Sequence, residues 1–503
     1  MVTADVPLAS SDLPSLRDAL RDVGFTLDGV ADCLGERASR ALHREQAVPA
    51  DLVTRTTTAP VGVLVRLFTL GRPVSASALD RVLPGWDVDR LARTGLVSVE
   101  GDHVRTLFDL RPYGDEQREW WVLSDLSEVM TGRPLPVDHV LGIGGASTTL
   151  ASWTTRTPVG RALDLGTGCG VQSLHLSQHA SSVVATDISQ RALATTRFNA
   201  ALNDLDWDVR GGSMLEPVGD ETFDLVVSNP PFVITPRSDD MPTYEYRDGG
   251  QVGHAVVADL VRSVEQHLTP GGVAQLLGNW EVPEGGSWED VVGGWLAGTG
   301  LDAWVVQRDV QDPAEYAELW AGDGGHRSGT TGFEQMYAAW LADFESRGVG
   351  EIGFGVITLQ RPRDGREPWR DLVASTGSVA SPMGPSVAAG LAARTWLAEH
   401  GDAGVLATAW QCAADVTEER HGRPGADDPS VILVRQGGGL GRAFRADTVL
   451  AAYLSVCDGS LTAGQALDAI ATLVDASPET VRAQAVPQIR DLIADGLLID
   501  PTD

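Results

Sequence analysis

A chain of 503 residues exceeds what one ordinary core holds, and domain sizes of roughly 50–200 residues suggest about three units. Its 43% apolar and 21% charged residues are a globular composition, which excludes disorder along the whole length. The formal charge of -31 excludes general attraction to phosphate backbones, which relies on Lys and Arg releasing counterions, and leaves room for a local basic patch.

The opening stretch MVTADVPLASSDLPSLRDAL has neither the basic start nor the apolar run of a secretory signal. No later run of about twenty apolar residues would span a bilayer, so the expectation is a cytoplasmic protein without a membrane partner. Cys33, Cys169, Cys412 and Cys457 lie far apart without CxxC pairing, which predicts reduced thiols and no metal site. From about residue 10 to 45 the apolar spacing is helical, with Ser10 and Ser11 as candidate N-caps. Residues 59–111 then read as three short helices followed by two strands, the outline of a winged helix. The third of these helices offers only Arg90 and Arg93, few for a DNA reader, which favours a packing or substrate-positioning role.

From about Leu135 to Arg361, strands and helices alternate as a parallel sheet requires. Seven strands are expected: RALDL, SVVATD, WDVRGG, FDLVVSN, GVAQLLGNW, DAWVVQRD and EIGFGVITLQR. Between the last two lies a long insert rich in Trp, Tyr and Gly, expected to cover the open edge of the site. A polar stretch near Pro362 reads as a linker. Beyond it come helical segments with Ser477 as an N-cap before Pro478, again ending in a winged-helix outline. The expected fold is thus α/β, a seven-stranded Rossmann-like sheet at 135–362 flanked by mainly helical, winged-helix-like domains at 1–134 and 363–503.

In RALDLGTGCGVQSLHL an apolar strand runs into Asp164, Gly166, Thr167, Gly168 and Gly170, then into a helix. Glycines allow tight turns and let a ligand approach backbone N–H groups. The spacing G-x-G-x-G with an Asp two residues ahead differs from the G-x-G-x-x-G of dinucleotide enzymes, which disfavours a dehydrogenase. The second strand ends in Asp187 and Ile188, where a carboxylate can accept both hydroxyls of a ribose.

This pattern resembles the first motif of class I S-adenosylmethionine-dependent methyltransferases. The resemblance implies that the loop Asp164–Gly170 cradles the methionine end of S-adenosylmethionine, with Asp164 orienting its ammonium. It adds Ile188, Ser213, Met214 and Asn229 to the cofactor contacts. Ser213 stands where relatives often have Asp, and Met214 is expected to pack on the adenine ring. Asn199 and Asn203 read as structural, and Thr148 or Thr149 as lying near the substrate mouth.

The fourth strand runs into Asn229, Pro230, Pro231 and Phe232. Two prolines fix φ, remove two N–H groups and leave a stiff turn whose carbonyls are free to accept. An NH2 flattened by conjugation has a poorly available lone pair. Hydrogen bonds from it to the Asn229 side-chain oxygen and the Pro230 carbonyl would draw the nitrogen toward tetrahedral geometry, with Phe232 stacking on the planar group. The turn resembles the fourth motif of N-methyltransferases acting on adenine N6, guanine N2 or glutamine amides, and the likeness covers about 136–361.

That resemblance implies a nucleobase of rRNA or tRNA, or a protein such as a release factor, as partner. The Phe leans toward nucleic acid and the acidic charge toward protein. The competing class is a non-catalytic winged-helix binding protein that keeps a methyltransferase-like scaffold. Tyr244, Tyr246 and Arg247 are expected to line the pocket or close it, and His254 to sit on a helix face rather than act as a base.

Overall fold

The computed structural model describes residues 5–7, 12–83, 85–132, 135–236, 250–323, 328–425 and 429–501. They form two compact units that do not coincide with the three expected ranges. The first comprises 1–151, 158–300 and 310–364, and the second 152–157, 301–309 and 365–503.

The first unit begins with helices Leu13–Asp22, Leu27–Leu42 and Val48–Thr56. Ser10 and Ser11 lie outside the described residues, and the N-cap of the first helix is Asp12, without a side-chain cap bond. Next come Val61–Leu64 with a continuing wide turn Val65–Thr69, a short strand Val74–Ser75, helices Ala76–Val82 and Val88–Thr94, and strands Val97–Glu100 and His103–Thr106. The last strand lies between the other two, the order a winged-helix outline requires. Local chemistry sets these helices: Ser75 and Asp87 cap their N-termini, and Gly95 ends the third in the left-handed region at φ 83°. Next in the chain is a hairpin, Asp109–Gly114 with Glu119–Ser124, of which the expected elements reach only the first strand. Leu64, Phe68, Leu79, Leu91, Val104 and Trp121 share one buried cluster with Phe198 and Leu202, which joins the N-terminal helices to the α/β part through common apolar burial.

The sheet strands are β1 (Val159–Leu165), β2 (Ala180–Asp187), β3 (Asp208–Gly211), β4 (Phe223–Ser228), β5 (Leu268–Pro283), β6 (Asp302–Gln311), β7 (Val349–Gln360) and β8 (Arg370–Ala374). All seven expected strands are present, with β8 in addition. In the first unit the order is β7-β5-β4-β1-β2-β3, parallel except for antiparallel β5–β7. The helices between them are α1 (Val171–Leu176), α2 (Gln190–Leu202), α3 (Ala255–Ser263), α4 (Trp288–Leu296), α5 (Pro313–Asp323) and α6 (Thr331–Arg347). Helices α5 and α6 are the insert, and they bury Tyr316, Met336, Trp340 and Phe344 around Ile234.

In the second unit β6 pairs in parallel with β8, from Ala303 opposite Arg370 to Gln307 opposite Ala374. Asp302, fully buried, is held by Arg366 at 2.7 Å, and the Arg394 guanidinium lies 3.8 Å from the centre of the Trp304 ring. The expected helical segments appear as Gly384–Ala407, Thr448–Leu454, Ala463–Leu473 and Pro478–Ala494, the last capped by Ser477 as read from the sequence. A three-stranded antiparallel sheet, Thr417–His421, Val431–Arg435 and Ala443–Ala446, was not anticipated. No helix among the described residues is long and apolar enough to cross a membrane.

Candidate active site

Four parallel strands, β4-β1-β2-β3, deliver their C-terminal ends side by side, and chain order reverses between β1 and β4. Ligands of open α/β sheets bind in the crevice at such a reversal. The two motifs meet there. Leu165 and Ser228 are register partners, and the Ser228 hydroxyl donates to the Leu165 carbonyl at 2.7 Å. Beyond them, a Cβ built on Gly166 would stand 3.9 Å from the Asn229 carbonyl oxygen.

The glycine loop is shaped from within. Gly166, Gly168 and Gly170 have φ of 76°, 57° and 86°, a region that L side chains rarely adopt. A Cβ on Gly168 would meet nothing within 4 Å among the described residues, so packing by these does not demand glycine there; the backbone conformation does. Asp164 lies beneath it, only 1% exposed, and its Oδ2 accepts from the Thr167 hydroxyl, the Ser173 hydroxyl and the Ser173 N–H at 2.8, 2.6 and 2.9 Å. These bonds bind the loop to the first turn of α1. The other oxygen, Oδ1, is buried without a partner among the described residues. Burial, with a smaller push from Asp187, raises the carboxyl to about 6 against the pull of its hydroxyl and N–H donors.

Asp187 closes the next side. Its Oδ2 accepts from Gly168 N–H and its Oδ1 from Ser189 N–H, each at 2.9 Å, while its carbonyl accepts from Gly212 N–H at 3.0 Å. The last bond brings Ser213 and Met214 beside Asp187; both are half-buried, and Met214 takes a positive φ of 48°. Ile188 is 62% exposed, a large apolar side chain held open to solvent at the rim. On the β4 side Pro230 is buried and Asn229, Pro231 and Phe232 are half-buried. The Asn229 Oδ1 atom is itself buried and has no partner among the described residues, an uncommon state for a strong acceptor.

Residues 142–293, which carry this constellation, match the family model described as Methyltransferase small domain. This segment is a methyltransferase small domain. Residues 22–107 match a second family, described as a domain of unknown function. A Ribosomal RNA small subunit methyltransferase C of Salmonella arizonae is 31% identical over 199 residues, 39% of this chain and 51% of its own. A Ribosomal protein uL3 glutamine methyltransferase of Bradyrhizobium diazoefficiens is 35% identical over 127 residues, 23% of this chain and 40% of its own. The chain spans about half or less of the length of these relatives. A solved T. Thermophilus 16S rRNA N2 G1207 methyltransferase in complex with AdoMet and guanosine shares 16% identity over 41% of this chain and 55% of its own, with a TM-score of 0.24, too low to bear on substrate.

Within the methyltransferase small domain, the structure brings together every residue that the sequence singled out for the cofactor and the turn. Asn199 and Asn203 are structural, as expected. Asn203 exchanges hydrogen bonds with Trp121 N–H (2.9 Å) and C=O (2.8 Å), and Asn199 with Leu123 N–H (2.8 Å) and C=O (2.9 Å). Thr148 is exposed and donates to the carbonyls of Gly144 and Gly145; its helix is tied to α1 by Gln172 Nε2 and the Ser147 carbonyl at 2.8 Å. His254 precedes α3, and its Nδ1 accepts from Glu281 N–H at 3.1 Å. Burial and the Arg347 and Arg262 charges depress it to about 4, leaving a neutral acceptor committed to structure. Tyr244, Tyr246 and Arg247 lie outside the described residues.

Sequence reasoning missed two supports of the loop. Thr196 donates to the Gly168 carbonyl at 3.0 Å, and Asn199 Nδ2 to the Cys169 carbonyl at 2.8 Å. Helical periodicity on α2 marks both positions only as inward-facing, so no local signal separates them from core.

Proposed function

We propose that this chain is an S-adenosylmethionine-dependent N-methyltransferase that methylates a planar amino nitrogen, in rRNA or tRNA. The observation that carries the reading is the Asn229 side-chain oxygen, buried and without a partner among the described residues, on a residue whose backbone carbonyl lies beside the glycine loop. An acceptor withheld from water with no partner of its own costs about 1–3 kcal/mol, a penalty that a ligand donor would relieve.

The residues present suit the cofactor. The positive-φ glycines leave backbone room for its methionine end, Asp187 offers carboxylate oxygens to ribose hydroxyls, and exposed Ile188 with Met214 offers apolar contact to a flat ring. When bound, S-adenosylmethionine supplies an electrophilic methyl group. The chain's own part is to hold the acceptor nitrogen. Asn229 Oδ1 and the Pro230 carbonyl each accept one hydrogen bond from the NH2, the prolines hold both acceptors still, and Phe232 covers the planar face. A buried base at the nitrogen is not required, because its proton can pass to water after transfer.

Protein glutamine, as in a release factor, is the second reading. Its side-chain amide presents the same flat NH2, one relative is a glutamine methyltransferase, and the charge of -31 favours a basic protein partner over RNA. A non-catalytic scaffold is disfavoured by the complete set of Asp164, Asp187 and Asn229.

Calorimetry with S-adenosylmethionine tests the cofactor; absence of binding at micromolar concentrations would leave the scaffold. Incubation with methyl-labelled cofactor and separate rRNA, tRNA and release-factor fractions tests the substrate. Asn229→Ala is expected to lower turnover roughly 10²-fold or more with a much smaller change in cofactor affinity, and Asp187→Ala to weaken cofactor binding itself. Normal turnover by the Asn229 variant would refute the role given to the turn.

A further inference from the structure

Residues 233–236, directly after the turn, are all buried and belong to no strand. Their peptide groups therefore lack a ladder and must be satisfied another way, since buried backbone N–H and C=O groups are costly to leave unmade. At Ile234, 1% exposed, both groups are taken by side chains of the insert. Its N–H donates to the Tyr316 hydroxyl at 2.8 Å, and its carbonyl accepts from Trp340 Nε1–H at 2.7 Å. Tyr316 stands on α5 and Trp340 on α6, so one residue's backbone is gripped from two helices.

The grip is itself fixed. Asn279 Nδ2 on β5 donates to the same Tyr316 hydroxyl at 2.9 Å, which references it to the sheet. The Tyr316 ring is fully buried between Phe344, edge-on at 5.5 Å, and Phe354, stacked at 5.7 Å. Upstream, Ser228 is locked to β1 through the Leu165 carbonyl. Asn229–Phe232 is thus held at both ends, at Ser228 by the sheet and at Ile234 by the insert, and its two prolines provide no N–H of their own for anchoring.

We infer that Tyr316 and Trp340 are positioning residues, which set the aim of Asn229 and the Pro230 carbonyl by clamping Ile234. The insert thereby acts on the chemistry through the backbone that follows the turn. This rests on the reading of Asn229–Phe232 as the amine-holding turn. Misplacing a catalytic group by about 1 Å can cost about 10²-fold in rate, so loosening one end of so short a span acts on turnover before it acts on cofactor affinity.

The test compares wild type, Tyr316→Phe, Trp340→Phe and Asn229→Ala. Cofactor affinity is measured by calorimetry, kcat and KM with the fraction that wild type methylates, and deuterium uptake of the peptide spanning 229–236 by mass spectrometry. Tyr316→Phe keeps the ring and deletes only the shared hydroxyl. It is expected to speed exchange in that peptide and to lower kcat roughly 10- to 100-fold, with cofactor Kd and KM nearly unchanged. Trp340→Phe does the same, and the double variant falls short of the product of the two, because both hold one residue's backbone. Unchanged exchange, or faster exchange with wild-type kcat, overturns the clamp. Wild-type turnover by Asn229→Ala instead removes the underlying reading, while exchange in Tyr316→Phe still decides whether the clamp exists.

Discussion

Asp164 combines a task of loop anchoring with a site closed to water. Its Oδ2 gathers three donors while its Oδ1 has none among the described residues, and burial raises the carboxyl to about 6 from 3.8. The folded chain therefore binds this proton more tightly than the unfolded chain does. The group's contribution to stability declines as pH rises from about 4 to about 6 and is level above that. Urea unfolding of wild type and Asp164→Asn, at about pH 4 and about pH 7, is expected to show the difference between them shrinking or reversing toward neutral pH, by no more than about 3 kcal/mol. A difference independent of pH would mean that the carboxyl is not buried in solution. Residues of this kind were legible because their chemistry is local. Gly166, Gly168 and Gly170 are required by their own φ, and Asn229 is marked by the two prolines after it. Tyr316 and Trp340 were not legible, since what they do depends on Ile234, far away in sequence.

Between elements, the pair Asn199 and Asn203 does for the strand Glu119–Ser124 what a neighbouring strand would. Four apart, Asn199 on α2 and Asn203 at its C-cap, both amides face the same strand and each exchanges two hydrogen bonds with the backbone of one strand residue. Asn199 also reaches the Cys169 carbonyl in the glycine loop, and Asn203 does not. The two alanine variants should therefore part company. Both are expected to lose about 2–4 kcal/mol of stability, from buried backbone groups left unpaired. Only Asn199→Ala is expected also to weaken S-adenosylmethionine binding, which calorimetry below the unfolding temperature would detect; equal cofactor affinity in the two variants would contradict the link. The alternation of strands and helices was readable because apolar runs of β1 to β7 stand between helical segments. The strand EWWVLS was missed although its backbone pairs with Asp109–Gly114, because the winged-helix outline read from the sequence ends at Arg111. β8 was missed because RDLVA comes after a polar stretch that reads as a linker.

Over the whole chain, the expected boundary near residue 362 treats 363–503 as a separable domain, whereas β6 belongs with β8 in the second unit. Removing 365–503 would deprive β6 of that partner, whereas Arg366→Ala in the full chain would leave Asp302 a fully buried carboxylate without its cation. Breaking a buried pair from one side costs about 3–5 kcal/mol. The fragment ending at Asp364 is expected to be largely insoluble or aggregated by size-exclusion chromatography, and Arg366→Ala to lower the melting temperature of the full chain. A soluble, monomeric fragment that binds cofactor would restore the simple boundary. The same interleaving has a consequence during synthesis. The apolar strand Asp302–Gln311 leaves the ribosome well before Arg370–Ala374 has been translated, and at about 5–20 residues per second that interval is a matter of seconds. For that time the nascent chain carries an unpaired hydrophobic edge, the kind of segment that chaperones shield, so yield in a heterologous host should depend on chaperone supply and growth temperature more than the final stability implies.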